Sequence, residues 1–227
     1  MIKGILFDFN GTLFYDSDKH IAAFQKFFEK RGLQKPSEEY IVKNIFGRTN
    51  RTIFSEQYRA DAADEELDAY GREKEELYRE ACLEDMESFH LAEGAEEFLD
   101  YLKEKGIPYN LATGSDIDNV SFYFERMGIG RWFDIDRIVY NDNTLPGKPA
   151  PDVYIEAARR IGLTPAECIV FEDGTSGIKA ANSAGAGAVF AVASPELDSP
   201  VTDDVRVDGE IYDFKAYISI LKKFELA

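Results

Sequence analysis

The chain has 227 residues, 44% hydrophobic and 30% charged, which is the composition of a folded protein with one large domain or a core domain carrying a smaller insert. A formal net charge of −17 argues against nucleic acid or an anionic membrane as partner, and no window reaches the about 18 uninterrupted apolar residues of a membrane span. The opening residues lack the apolar stretch of a secretory signal, and Cys82 and Cys168 have no metal-binding spacing, so a reducing cytoplasm is the expected setting.

In chain order, residues 2–9 read as a buried strand. Residues 20–30 set Ile21, Phe24 and Phe28 on one helical face, and 38–44, 52–60 and 65–83 are helical as well, with no strand pattern between them. The acidic tract 61–85 mixes both signs of charge at three- and four-residue spacing, as expected of a solvated helix face. From residue 93 the texture changes. Helices at 93–105, 116–127, 151–161 and 176–184 alternate with apolar runs at 107–112, 135–140, 168–171 and 188–192. Residues 194–209 read as a surface loop around a short strand at 205–207, and a last helix spans 212–224. Apolar strands interleaved with helices imply a parallel sheet covered on both faces. The predicted fold is therefore α/β, a Rossmann-like doubly wound parallel sheet formed by residues 1–14 and 90–227, with an all-helical insert at 15–89.

Four segments carry chemistry. The first, ILFDFNGTLF, puts Asp8 at the carboxyl end of the first strand, where open parallel sheets bind ligands. In LATGSD, residues 111–116, the Thr113 hydroxyl can donate to a phosphate oxygen, and the backbone N–H groups of Gly114 and Ser115 lie near a helix start that favours an anion. GKPAPDVY, residues 147–154, holds Lys148 in a turn with two prolines. IVFEDGTSGIKAANSAGAG, residues 169–187, ends a strand in Glu172 and Asp173 and continues into a helix whose small residues suit close packing on a sheet. Hard carboxylate oxygens suit a divalent cation, and without one these carboxylates would repel Asp8 and any incoming anion.

The four segments, in this order, resemble the motifs of the haloacid dehalogenase superfamily, whose first motif is normally Asp-x-Asp-Gly-Thr. The resemblance covers essentially the whole chain. The helical insert and the Glu-Asp form of the last motif are similar to the subgroup containing β-phosphoglucomutase and many sugar-phosphate and nucleotide phosphatases. It implies a helical cap over a core, Asp8 as a nucleophile that is transiently phosphorylated, and Lys148 as the residue that neutralises the phosphoryl group. It further implies Mg2+ as cofactor, held by Asp8, the backbone carbonyl of Asn10, Asp173 and Glu172. The partner is then a small phosphorylated molecule, and a monomer is expected, with a dimer left open. In the insert, FGRTNRT presents Gly47, Arg48 and Arg51 either as a substrate-anion loop or as exposed residues at a helix start. His20, twelve residues after Asp8, is either near the site or on a helix surface.

The sequence departs from the family at Asn10, where phosphatases and mutases carry Asp as general acid and base. An amide cannot take that role, which is typically worth about 10² to 10⁴ in rate. The expected activity is hydrolysis of a phosphomonoester, of the sugar-phosphate or nucleotide-like kind. The alternatives are a mutase or a carbon–phosphorus hydrolase using a lysine such as Lys43, and a phosphate-binding protein with attenuated turnover.

Overall fold

The computed structural model describes residues 1–46, 48–193 and 201–226. In chain order the elements are β1 (Gly4–Phe7), α1 (Ser17–Glu29), α2 (Glu38–Asn44), α3 (Asn50–Gln57), α4 (Asp64–Glu84), α5 (Ala95–Lys105), β2 (Tyr109–Leu111), α6 (Ile117–Arg126), α7 (Asp152–Arg160), β3 (Cys168–Glu172), α8 (Thr175–Ser183), β4 (Ala188–Val192), β5 (Gly209–Ile211) and α9 (Tyr217–Lys223). The chain divides into two compact units, residues 1–15 with 90–227, and residues 16–89. No helix among the described residues is long and apolar enough to cross a membrane.

The first unit is built on a five-stranded sheet of order β2-β1-β3-β4-β5 with every pair parallel. Its strands are buried throughout in β1, β3 and β4, which explains why they read as continuous apolar runs. Alternation along each strand sorts side chains between two layers. Phe7 and Phe171 stack at 5.4 Å and meet Phe98 of α5 and Phe214 before α9. Leu6, Val170 and Val189 join the cluster of Tyr154, Ala157 and Ala158 of α7 with Ile178 and Ala181 of α8. Each fully buried Leu, Val or Phe contributes about 1.5–3 kcal/mol relative to exposure, so the two layers dominate the stability of the unit. In this strand order the chain leaves β1 toward opposite neighbours, β2 and β3, and the crevice at their carboxyl ends is where such sheets bind ligands.

Two expected strands differ. Residues 135–140 form no strand; only Val139 bridges Ala112. The reason is a turn in which the Asp134 carboxylate accepts from the backbone of Asp136 and the Asp134 carbonyl from Arg137. Residues 205–207 are not a strand either. Val205 and Val207 pack against the core as loop residues, and the fifth strand lies at Gly209–Ile211, where a Cβ on Gly209 would lie 2.7 Å from the Phe190 ring. Residues 194–200 of the expected loop lie outside the described residues. The last helix starts at Tyr217, because Asp213 turns the chain by accepting from the Lys215 N–H.

The second unit is helical. Phe24, Phe27, Phe54, Tyr58 and Tyr70 form an aromatic cluster with Phe27 and Phe54 at 4.5 Å, and the Arg31 guanidinium lies 3.6 Å over the Phe27 ring while pairing with Glu73. Ser37 and Thr49 cap α2 and α3 through their hydroxyls. The acidic tract is only partly the solvated face expected of it: Leu67, Lys74, Glu75, Leu77, Tyr78 and Cys82 of α4 are buried.

Candidate active site

Asp8 is the first residue past β1, its N–H bonded to the Phe171 carbonyl, and Glu172 and Asp173 lie at the end of the adjacent β3. One oxygen of each of these three carboxylates lies within 4.8 Å of the others. Asp8 and Glu172 are buried. Lys148 bridges them, its Nζ 2.6 Å from Asp8 Oδ1 and 3.2 Å from Glu172 Oε1. One ammonium cannot compensate three ionised carboxylates at once. The electrostatics follow from that. Burial and the Asp8 charge push the Glu172 carboxyl well above the usual carboxylate range, against the pull of Lys148. Burial works against the charge of Lys148, but Asp8 and Glu172 outweigh it and hold its pKa well above that of an ordinary lysine.

Two glycines seat the carboxylates. Gly11 has φ +75°, and a Cβ there would fall 2.0 Å from Asp173 Oδ2; the buried Thr12 hydroxyl beside it donates to Asp173 Oδ1 at 3.2 Å. A Cβ on Gly177, in the first turn of α8, would fall 1.4 Å from Glu172 Oε1. The small residues of α8 were expected to serve packing on the sheet, and the neighbour that excludes a side chain at Gly177 is a carboxylate of the site. Below Lys148 lies the Tyr154 ring at 5.1 Å, whose buried hydroxyl has no hydrogen-bond partner among the described residues.

Asn10 is held at both ends of its amide. Its Oδ1 accepts from Ser115 Oγ at 2.7 Å and its Nδ2 donates to the Tyr123 hydroxyl at 2.9 Å, while the Tyr123 ring packs 4.5 Å from Phe9. Thr113 is buried and accepts from the Ser115 N–H at 3.1 Å, so that N–H is engaged locally, contrary to expectation. As an acceptor there, the Thr113 hydroxyl keeps its own proton for donation. The helix α6 begins at Ile117, one residue later than expected, and Asp116 caps it by accepting from the Asn119 N–H. Gly114 is exposed, with nothing within 4 Å of a would-be Cβ.

The structure thus brings Asp8, Lys148, Glu172 and Asp173 together in the first unit, and ties Asn10, two residues past Asp8, to Ser115 and Tyr123, with Thr113 and Gly114 adjoining Ser115. The remaining candidates belong to the helical unit and have partners inside it. His20 stacks on Tyr78 at 4.0 Å, meets Lys74 Nζ at 2.7 Å through Nδ1, and lies 3.4 Å from Asp16 through Nε2. Arg48 pairs with Glu56 and donates to the Asn44 carbonyl; Arg51 holds Asp68 and Asp64. Gly47 lies outside the described residues. Sequence reasoning missed Tyr123, Thr12 and Gly177. Thr12 stood inside the first motif, whereas Tyr123 is one of several buried aromatics on helix faces and carries no signal of its own.

All the donors near Asp8 that could hold a cation are hard oxygens, and their excess negative charge fits a divalent ion. Comparison with known proteins agrees with this geometry. The family model for haloacid dehalogenase-like hydrolases matches residues 2–185. Fructose-1-phosphate phosphatase YqaB of Escherichia coli is 30% identical over 186 residues, covering 82% of this chain and 94% of that protein. A phosphorylated carbohydrates phosphatase of Thermotoga maritima is 27% identical over 195 residues, covering 84% and 85%. The crystal structure of a HAD hydrolase, family IA, variant 3, from Entamoeba histolytica superposes with a TM-score of 0.88 at 35% identity, covering 99% of both chains. A carboxylate-rich crevice at the β1/β3 switch point, in a chain matched over most of its length, places this enzyme among the haloacid dehalogenase-like hydrolases.

Proposed function

We propose that the protein is a Mg2+-dependent phosphatase of a small phosphorylated molecule and that it works through a phosphorylated Asp8. The observation that carries this reading is the Lys148 ammonium 2.6 Å from Asp8 Oδ1, in a cluster of three carboxyl groups. A carboxylate so held can attack phosphorus, because the ammonium orients it and attracts the phosphoryl oxygens. Asp8, Glu172, Asp173 and the carbonyl of Asn10 would hold Mg2+, which when bound neutralises the cluster and polarises the phosphoryl group. The Thr113 hydroxyl and the Gly114 N–H are assigned to the phosphate oxygens, whereas Ser115 spends its N–H on Thr113 and its hydroxyl on Asn10. The names of the two relatives favour a sugar phosphate as substrate class. A second reading, a phosphate-binding protein with attenuated turnover, draws support from the amide at position 10.

Phosphate release from a panel of phosphorylated sugars and nucleotides, with and without Mg2+, separates the two readings. Asp8→Asn, which keeps the side-chain shape, should abolish turnover with the fold retained by circular dichroism; more than a few percent residual activity would sink the covalent route. His20, Gly47, Arg48 and Arg51 remain candidates for substrate contact on their sequence positions. The carboxylate partners of the two arginines are exposed pairs worth under about 1 kcal/mol, so exchanging them for a substrate anion is cheap. Arg48→Ala and Arg51→Ala should therefore lose more kcat/KM on a bulky anionic substrate than on p-nitrophenyl phosphate, and equal losses would return them to a structural role.

A further inference from the structure

The carboxylate crevice lies past the carboxyl ends of β1 and β3, and a second concavity sits at the other end of the same sheet. It is a groove of about 550 Å³ beside Tyr109, the first residue of the edge strand β2. That volume falls in the range of about 300–1,000 Å³ typical of small-molecule sites. Trp132 and Tyr109 supply aromatic walls, and Lys103, Arg131, Arg137 and Asp134 supply the charge.

The walls are held in place. The Tyr109 hydroxyl donates to the Trp132 carbonyl at 2.9 Å, the indole N–H donates to Asp100 Oδ1 at 2.8 Å, and the Arg131 guanidinium lies 4.8 Å from the centre of the indole ring while pairing with Asp100. The charge is not balanced. Lys103 Nζ donates to the Arg131 carbonyl at 2.7 Å and Arg137 Nη2 to the Arg160 carbonyl at 2.9 Å, and neither cation pairs with a carboxylate among the described residues. Carbonyls satisfy donors but cancel no charge. Asp134, the one acid among the described residues of the lining, spends a carboxylate oxygen on the Asp136 N–H. Two cations thus face one acid, in a chain whose 43 acidic residues outnumber its 26 basic ones.

We propose that this groove is a binding site for a nucleoside phosphate, separate from the catalytic crevice and independent of the phosphatase reading. The base offers a flat π-face to the aromatic walls, and the phosphate oxygens accept from Lys103 and from the Arg137 fork. Neither half of such a ligand fits alone: a neutral ring leaves the two cations without a counter-charge, and a bare anion leaves the aromatic walls in water. Walls already fixed by hydrogen bonds lower the ordering cost of binding.

Trp132 is the one tryptophan of the chain, so its fluorescence reports on the groove. The test is titration of the protein, without Mg2+, with AMP, adenosine and ribose 5-phosphate, followed by indole emission and by calorimetry, in wild type, Lys103→Ala and Arg137→Ala. AMP should bind wild type and shift the indole emission, whereas adenosine, which lacks the phosphate, and ribose 5-phosphate, which lacks the base, should each bind at least about tenfold more weakly. Each substitution should weaken AMP by about tenfold or more and leave adenosine unchanged. Both side chains are exposed and bond only to carbonyls, so far-UV circular dichroism should not change. No response to millimolar AMP overturns the proposal, as does adenosine or ribose 5-phosphate binding as tightly as AMP. AMP binding that survives both substitutions also overturns it and places the nucleotide elsewhere. Failure of the protein to release phosphate from any ester would sink the phosphatase reading and leave this site standing.

Discussion

Gly177 offers a direct test of how the site is built. In the first turn of a helix, Gly→Ala ordinarily gains up to about 1 kcal/mol in propensity. Here a Cβ would fall 1.4 Å from Glu172 Oε1 and 2.1 Å from Cδ, where ordinary contact begins at 3.4 Å, so the carboxylate must retreat by about 2 Å. That retreat takes it off Lys148, whose Nζ now lies 3.2 and 3.4 Å from its two oxygens. Loss of a charge-assisted hydrogen bond costs about 1.5–3 kcal/mol, and breaking a buried pair on one side about 3–5. After the helix gain, Gly177→Ala should lose about 2–4 kcal/mol of stability at pH 7 and weaken turnover. Urea unfolding followed by far-UV circular dichroism measures the first quantity, with Gly114→Ala as control, since a Cβ there meets nothing within 4 Å and should change stability by under about 0.5 kcal/mol. A Gly177→Ala protein as stable and as active as wild type would show that Glu172 has no fixed place in the site.

Two further outcomes follow from particular contacts. Tyr154→Phe removes a buried hydroxyl that makes no well-formed hydrogen bond among the described residues and keeps the ring under Lys148, so it should leave the Tm unchanged or raise it by the equivalent of up to about 2 kcal/mol; a clear loss would reveal a bond to Lys148 or to water. In the helical unit, burial would push the Glu75 carboxyl up, but Lys74, His20 and Asn50 outweigh it and bring its pKa from 4.5 down to about 2. A depressed carboxyl stabilises above its unfolded value and loses that contribution as pH falls through its folded value. Glu75→Gln should thus cost about 3 kcal/mol at pH 7, with the gap to wild type closing between about pH 5 and pH 2. Urea midpoints at pH 7 and pH 3 that differ by the same amount between the two proteins would refute this.

The core was legible where burial on both faces made strands apolar from end to end. β4 was read to the residue, and β1 and β3 ended in the carboxylates expected of them. Residues 135–140 failed because an apolar run does not report the turn that the Asp134 side chain imposes. Lys74 and Glu75 failed for a related reason. Charge at helical spacing looks the same whether a face is solvated or buried, and only three-dimensional proximity to His20 and Asn50 makes burial tolerable. In the site, residue type and strand position announced Asp8, Lys148, Glu172 and Asp173 as chemistry. Side chains that act by contact, such as Tyr123 on Asn10, carry no pattern in one dimension.

The same distinction bears on what Asn10 does. A carboxylate at that position could accept from the Ser115 hydroxyl and could equally accept from Tyr123, but it offers no donor toward the Tyr123 oxygen. Asn10 both accepts and donates, and because each partner is a hydroxyl that can do either, the amide satisfies both. It also adds no charge to a cluster where one lysine already faces three carboxylates. A fourth carboxylate would deepen the repulsion that burial imposes on Glu172. The gain in proton transfer that Asp would bring is therefore opposed by a rise in the negative charge that an incoming phosphoryl group must meet.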